Sequence, residues 1–130
     1  MEGMEKVGSS FAGSMRWMAP ELILALVDEE ESSPPLSTYS DVYAFGAVCL
    51  EVVSGQLPFP HRKNDEAVLI DTMRGGRPCR SEMRGVALTA EDEEAFWRML
   101  ERCWDDTRTR RPTIADLVAF LRTLHCTITR

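Results

Sequence analysis

Apolar positions along the chain fall into helix-spaced stretches separated by polar, Pro- and Gly-containing segments. Ala19-Pro20-Glu21 opens the short apolar stretch Leu22-Ile23-Leu24-Ala25-Leu26. Proline at a first helical position, with glutamate beside the positive helix end, predicts a short helix over 20–27. The stretch from Asp28 to Ser37, with its acidic run and Ser-Ser-Pro-Pro, has nothing to pack and reads as an exposed loop. Thr38-Tyr39-Ser40-Asp41 then has the capping-box pattern. It precedes the apolar run Val42 to Leu50, extended by Glu51-Val52-Val53, in which Glu51 carries the one charge. A helix apolar all round is a central, buried helix. A buried strand is the rival, but the run is long for a strand and begins with a cap. Ser54-Gly55 and Pro58 end it.

Asn64 begins another predicted helix, with Val68, Leu69 and Met73 apolar and Gly75-Gly76 at its end. Thr89 and Asp92 form a second capping box. The helix behind it starts with acids, which suits its dipole, and carries the stripe Phe96, Trp97, Leu100, Cys103 and Trp104. These aromatics at helical spacing read as core. Pro112-Thr113 with Asp116 makes a third cap, before Ile114, Leu117, Val118, Leu121 and Leu124. Residues 1–19 read as loop. The expected fold is all-α, with about five helices and no sheet.

Composition narrows the function classes. The 130 residues fit one domain, and 44% hydrophobic content is enough for a core. With 15 basic and 21 acidic side chains, the net charge of −6 argues against a nucleic-acid binder. The balance is uneven: residues 102–130 hold six Arg against three Asp, which reads as a solvated helix face. Cys49, Cys79, Cys103 and Cys126 are scattered, and His61 and His125 are isolated, so no metal-ligand spacing appears. Free thiols point to a reducing, intracellular and cytoplasmic setting. The N-terminus has no signal-peptide layout, and the longest apolar run is far short of the roughly 20 residues that span a bilayer.

Four ordered blocks resemble the protein-kinase family. Gly13-Ser14-Met15-Arg16-Trp17-Met18-Ala19-Pro20-Glu21 is similar to the end of a kinase activation segment, with its A-P-E motif. Ser40-Asp41-Val42-Tyr43-Ala44-Phe45-Gly46 resembles the start of the central helix of the large lobe. Gly55-Gln56-Leu57-Pro58-Phe59 resembles the turn after it, and Cys103-Trp104 with Arg111-Pro112-Thr113 the segment before the last helix. The wording is most similar to the tyrosine-kinase-like and tyrosine-kinase branches. The resemblance covers about residues 8–125 and implies the helical second half of a large lobe. It divides the chain into an activation-segment tail and docking loop (1–19), a helical lobe (20–126) and a short tail (127–130).

The resemblance also assigns roles. Ser14, Met15, Arg16, Trp17 and Met18 would form the substrate-docking loop, although ordinary packing is the blander reading of these residues. Glu21 and Arg111 would be a buried ion pair. Asp41 in the family holds the catalytic loop; in this chain its expected role is the helix cap. Gly46 would allow close packing, and Trp104 would be structural. Ser9 and Ser10 stand where activation segments are phosphorylated. A complete kinase binds ATP and Mg and acts on a protein hydroxyl. These 130 residues contain no G-x-G-x-x-G, no D-F-G and no strand lysine; the lysines are Lys6 and Lys63. His61-Arg62-Lys63-Asn64 echoes a catalytic loop, but Lys63 stands where Asp is required. No catalytic residue, ATP site or metal site is therefore expected in the chain itself. Three roles remain open: part of an active kinase, a pseudokinase-like interaction module, or a truncated product without its own function. A central helix covered on some faces only would leave an apolar surface for self-association or a chaperone.

Overall fold

The computed structural model describes residues 14–27, 37–83 and 88–128, with side chains as far as Leu124. Five α-helices follow one another: α1 (Pro20–Val27), α2 (Thr38–Ser54), α3 (Asp65–Met73), α4 (Ala90–Cys103) and α5 (Ile114–Ile128). Three 3-10 turns, Met15–Trp17, Arg80–Met83 and Arg108–Arg110, lie where the apolar pattern reads as loop. Elements of three or four residues are too short to show a period. Among the described residues there is no strand, and no helix is long and apolar enough to cross a membrane.

The caps set the helix starts. Asn64 Oδ1 accepts the Ala67 N–H at 2.8 Å and starts α3. Thr89 Oγ1 accepts the Asp92 N–H at 3.1 Å and starts α4. At α5 the box is reciprocal: Thr113 Oγ1 accepts from Asp116 N at 3.1 Å, and Asp116 Oδ2 accepts from Thr113 N at 3.2 Å. α2 differs from the expectation. Its cap is Ser37, held extended, whose Oγ accepts the Ser40 N–H at 3.2 Å. Thr38 is already helical, so Asp41 sits inside the first turn, exposed, and is not the cap. Its charge still suits the positive end of the helix. Gly55 closes α2 with φ 75, the left-handed region that glycine enters without a Cβ penalty, and donates its N–H to Glu51 O at 2.8 Å.

α2 runs through the middle. Val42, Tyr43 and Leu50 pack with Phe96, Trp97, Met99, Leu100 and Cys103 of α4, Trp104 after it, and Leu117 and Leu124 of α5. Trp97 and Trp104 meet edge-on, ring centroids 5.7 Å apart. A second cluster joins Met15 and Met18 to Ile23 of α1 and Leu69 of α3. Two helices bury less than their apolar content. On α2, Val48 is 42% and Val52 76% exposed, and Phe45, Cys49 and Val53 are half-buried. On α5, Ile114 and Val118 are exposed although both belong to the expected stripe. At 3.6 residues per turn they lie on the flank of the Leu117–Leu124 line, and no described element covers that flank. Met73, one of the apolar positions of α3, is exposed as well.

Candidate functional site

The turn Met15–Trp17 and the start of α1 are held from below by two arginines. Arg16 is 8% exposed and turns inward. Its Nε donates to Asp65 Oδ1 at 3.0 Å, at the first residue of α3. Nη1 donates to the carbonyls of Pro58 at 2.9 Å and Phe59 at 2.8 Å, and Nη2 to that of Arg62 at 2.8 Å. A guanidinium has five N–H donors in a planar fork, and four contacts use it here. The neighbours of Arg16 are fixed as well. Met15 and Met18 are buried, Trp17 is half-buried, and Trp17 Nε1 donates to Glu51 Oε1 of α2 at 2.9 Å. Ser14 is half-buried, and its carbonyl accepts the Trp17 N–H at 3.2 Å. Ser9 and Ser10 lie outside the described residues.

Glu21 and Arg111, 90 positions apart, meet in a bidentate pair: Nη1–Oε2 2.7 Å and Nη2–Oε1 2.9 Å. The Arg111 side chain is fully buried, while Glu21 keeps 22% exposure. Arg111 also donates to Tyr39 O at 2.9 Å and Asp105 O at 3.0 Å, and Ser40 Oγ donates to Glu21 Oε2 at 2.9 Å. Burial pushes the Glu21 carboxyl upward. The Arg111 fork, backbone hydrogen bonding and Ser40 outweigh that and hold it below the usual value. Pro20–Val27, α2 and the Asp105–Arg111 segment are thereby tied at one point.

Tyr43 has two arginines over its ring, Arg77 5.3 Å and Arg111 5.2 Å from the centroid. Cations at this distance suit the ring quadrupole. Burial dominates at the hydroxyl and pushes its pKa up to about 12. Gly46 of α2 faces Cys103 and Trp104, and Trp104 Nε1 is buried with no acceptor among the described residues. Glu82 accepts the N–H groups of Cys79 at 2.8 Å and Phe59 at 3.3 Å; burial raises its pKa, against those two bonds and nearby His61.

The structure thus brings Ser14–Met18 into one turn, joins Glu21 to Arg111, sets Gly46 against Trp104, and leaves Asp41 apart at the surface. Tyr43, Arg77, Asp65 and Glu82 were not legible as partners: apart from the Tyr43 block, no motif marks them, and much of their bonding is to backbone.

Family comparison fits this arrangement. The sequence model described as protein tyrosine and serine/threonine kinase matches residues 2–121. The chain belongs to the protein kinase family. This kinase chain is 33% identical over 119 residues to a light-sensor protein kinase of Ceratodon purpureus, covering 86% of the chain and 8% of that relative. It is 32% identical over 111 residues to a Raf homolog serine/threonine-protein kinase of Caenorhabditis elegans, 85% and 12% covered. It is 30% identical over 109 residues to serine/threonine/tyrosine-protein kinase HT1 of Arabidopsis thaliana, 84% and 24% covered. The kinase chain therefore spans less than a quarter of the length of each of these relatives. Its helices correspond to the helical large lobe, and its branch is the tyrosine-kinase-like one.

The family uses ATP and Mg. Among the described residues no group of three or more His, Cys, Asp or Glu side chains could hold a metal ion. Four carboxylates are tied to arginines: Asp65 to Arg16, Asp71 to Arg62, Asp106 to Arg77 and Glu21 to Arg111. Held by guanidinium groups, these four carboxylates do not fit a bound Mg ion.

Proposed function

We propose that the complete protein transfers the γ-phosphoryl group of ATP, with Mg, to a protein Ser/Thr or Tyr hydroxyl, and that these residues supply its substrate-docking and supporting half. The observation that carries this is the family match over residues 2–121, running through the Arg16-to-Glu21 motif. Residues 1–19 act as activation-segment tail and docking loop, residues 20–126 as the helical lobe, and 127–130 as a tail. Ser14, Met15, Trp17 and Met18 present the docking turn, Glu21 and Arg111 anchor it, and Ser9 and Ser10 are phosphorylation positions. The free thiols Cys49, Cys79 and Cys103 suit a reducing, cytoplasmic setting.

By itself the 130-residue chain is catalytically inactive. Positioning and electrostatic stabilisation around Mg-ATP are most of phosphoryl-transfer catalysis, and its residues do not provide them. Purified chain should show no phosphotransfer, and millimolar Mg-ATP should leave its melting temperature unchanged. A specific thermal shift, removed by competing nucleotide, overturns this. Transcript sequence upstream of Met1 tests the enzyme reading: in-frame H-R-D and D-F-G support it. Their absence supports the pseudokinase-like module or the truncated product.

A second reading concerns partners. The exposed Val48 and Val52 on α2 favour self-association or chaperone capture of the isolated chain.

A further inference from the structure

We infer that Arg16 is a positioning residue, which couples the docking turn to α3 and does not itself contact substrate; this rests on the docking role proposed above. Three carbonyls, from Pro58, Phe59 and Arg62, converge on its guanidinium, and Asp65 of α3 takes the Nε donor. The carbonyls form a concave cluster of partial negative charge whose cation is a side chain from residues 42 to 46 positions away. With four contacts made inward and little surface exposed, the fork has no face left for a ligand.

The loop it grips is built to need that grip. Phe59 has φ 57, and among the described residues no other non-glycine has a positive φ. Pro58 and Pro60 lack N–H groups, so Phe59 holds the one amide donor of that tripeptide. Glu82 accepts it, while Arg16 takes the carbonyl on the other side. A side chain in this region persists where the surroundings over-determine it. Arg16 supplies much of that determination, and in return the loop fixes the turn that carries Arg16. The two ends are linked, so a perturbation at either is felt at the other, as any coupling free energy requires. A partner pressing on α3 or on residues 58–62 would shift the docking turn through this joint.

The turn has its own reporters: Trp17 N–H bonds Ser14 O at 3.2 Å, and Met18 N–H bonds Met15 O at 3.3 Å. The loop has Phe59 N–H and the Arg62 N–H, bonded to Phe59 O at 3.0 Å. The Trp104 N–H, bonded to Leu100 O at 3.1 Å in α4, is a remote control. Amide hydrogen exchange on the 130-residue chain and two variants tests the coupling. Asp65→Asn keeps the shape of the α3 start and weakens the contact to Arg16. It should speed exchange at Trp17 and Met18 by about tenfold, a local opening that leaves Trp104 unchanged. Arg16→Lys replaces the fork with a point charge and should do the same at Phe59 and Arg62. Unchanged Trp17 and Met18 exchange in Asp65→Asn overturns the proposal. So does acceleration that includes Trp104 to the same extent, which marks plain loss of stability. If Arg16→Lys does not fold, Asp65→Asn alone decides. No activity is read, so failure here leaves the phosphotransfer reading standing, and failure of that reading leaves this coupling measurable.

Discussion

Gly46 and Trp104 touch without room for one more carbon. A β-carbon at Gly46 would stand 3.0 Å from Trp104 Nε1 and 2.8 Å from Cys103 Cβ. The Cys103 atom is fixed to the α4 backbone and cannot swing aside as the end of a long side chain would. The contact sets how closely α2 and α4 approach.

Gly46→Ala should therefore destabilise the chain, although alanine is the better helix former by about 1 kcal/mol. Overpacking a close contact costs about 1–3 kcal/mol, which leaves a net loss of up to about 2 kcal/mol after the propensity gain. Adding Cys103→Ala should not restore it, because the clash is with Cβ and alanine keeps that atom. Urea midpoints of wild type and these two variants check this; a more stable Gly46→Ala would show that the helices separate freely.

The Glu21–Arg111 fork leads to a pH-dependent expectation. The Glu21 pKa is held below its ordinary 4.5, so its stabilisation is present above that value and is lost as pH falls through the lowered folded value. Arg111 stays charged throughout. Removing one partner of a buried pair costs about 3–5 kcal/mol, and Glu21's partial exposure places Glu21→Gln near the lower end. Arg111→Met should cost at least as much, because Tyr39 O and Asp105 O also lose their donor. Thermal melts from pH 7 to below 4 should show wild type approaching Glu21→Gln as acid is added. Equal midpoints at pH 7 would show that the pair contributes nothing.

Glu82 has the opposite sign. Burial raises its pKa in the folded chain. Its favourable share is complete below the unfolded carboxylate pKa and fades as pH rises through the raised folded value. Gln can still accept the Phe59 or Cys79 N–H without a half-buried charge. Glu82→Gln should thus be at least as stable as wild type at pH 7, with any advantage vanishing near pH 4. Paired melts at the two pH values read the difference directly; a Gln variant weaker at pH 7 and equal at pH 4 reverses the sign and rejects the argument.

Legibility in the sequence followed the physics of each feature. The five helices were readable because period and caps agree, and the reciprocal Thr113–Asp116 box lies where the pattern places it. The α2 cap was misplaced by one residue because Ser37 and Thr38 are equally good cap chemistry, and local backbone decides between them. Ile114 and Val118 belong to the apolar stripe of α5 yet stay exposed, because the period shows which side chains are apolar, not which neighbour arrives to cover them. The Glu21–Arg111 approach came through motif resemblance alone, since nothing local links positions 90 apart. The Arg16 joint was invisible because three of its acceptors are main-chain carbonyls, which every residue carries.

The uncovered side of α2 sets the last expectation. Asp41, Phe45, Val48 and Val52 recur at spacings of four, three and four, one stripe of a helix. The stripe begins with an exposed carboxylate and ends in Val52, the most exposed large apolar side chain among those described. Fully burying one valine is worth about 1.5–3 kcal/mol, so two on one stripe, with Phe45 beside them, give association a usable driving force. Val52 adds little to the folded monomer, because its neighbours do not cover it. Val52→Lys should consequently reduce association without lowering the unfolding midpoint by more than about 0.5 kcal/mol, the range of ordinary surface changes. Wild type should scatter light more strongly as concentration rises, and Val52→Lys should flatten that dependence. Leu50→Lys is the control: Leu50 is completely buried, so it should unfold the chain. A monodisperse wild-type monomer with a steep urea transition would reject the association. It would favour an interaction module that folds independently.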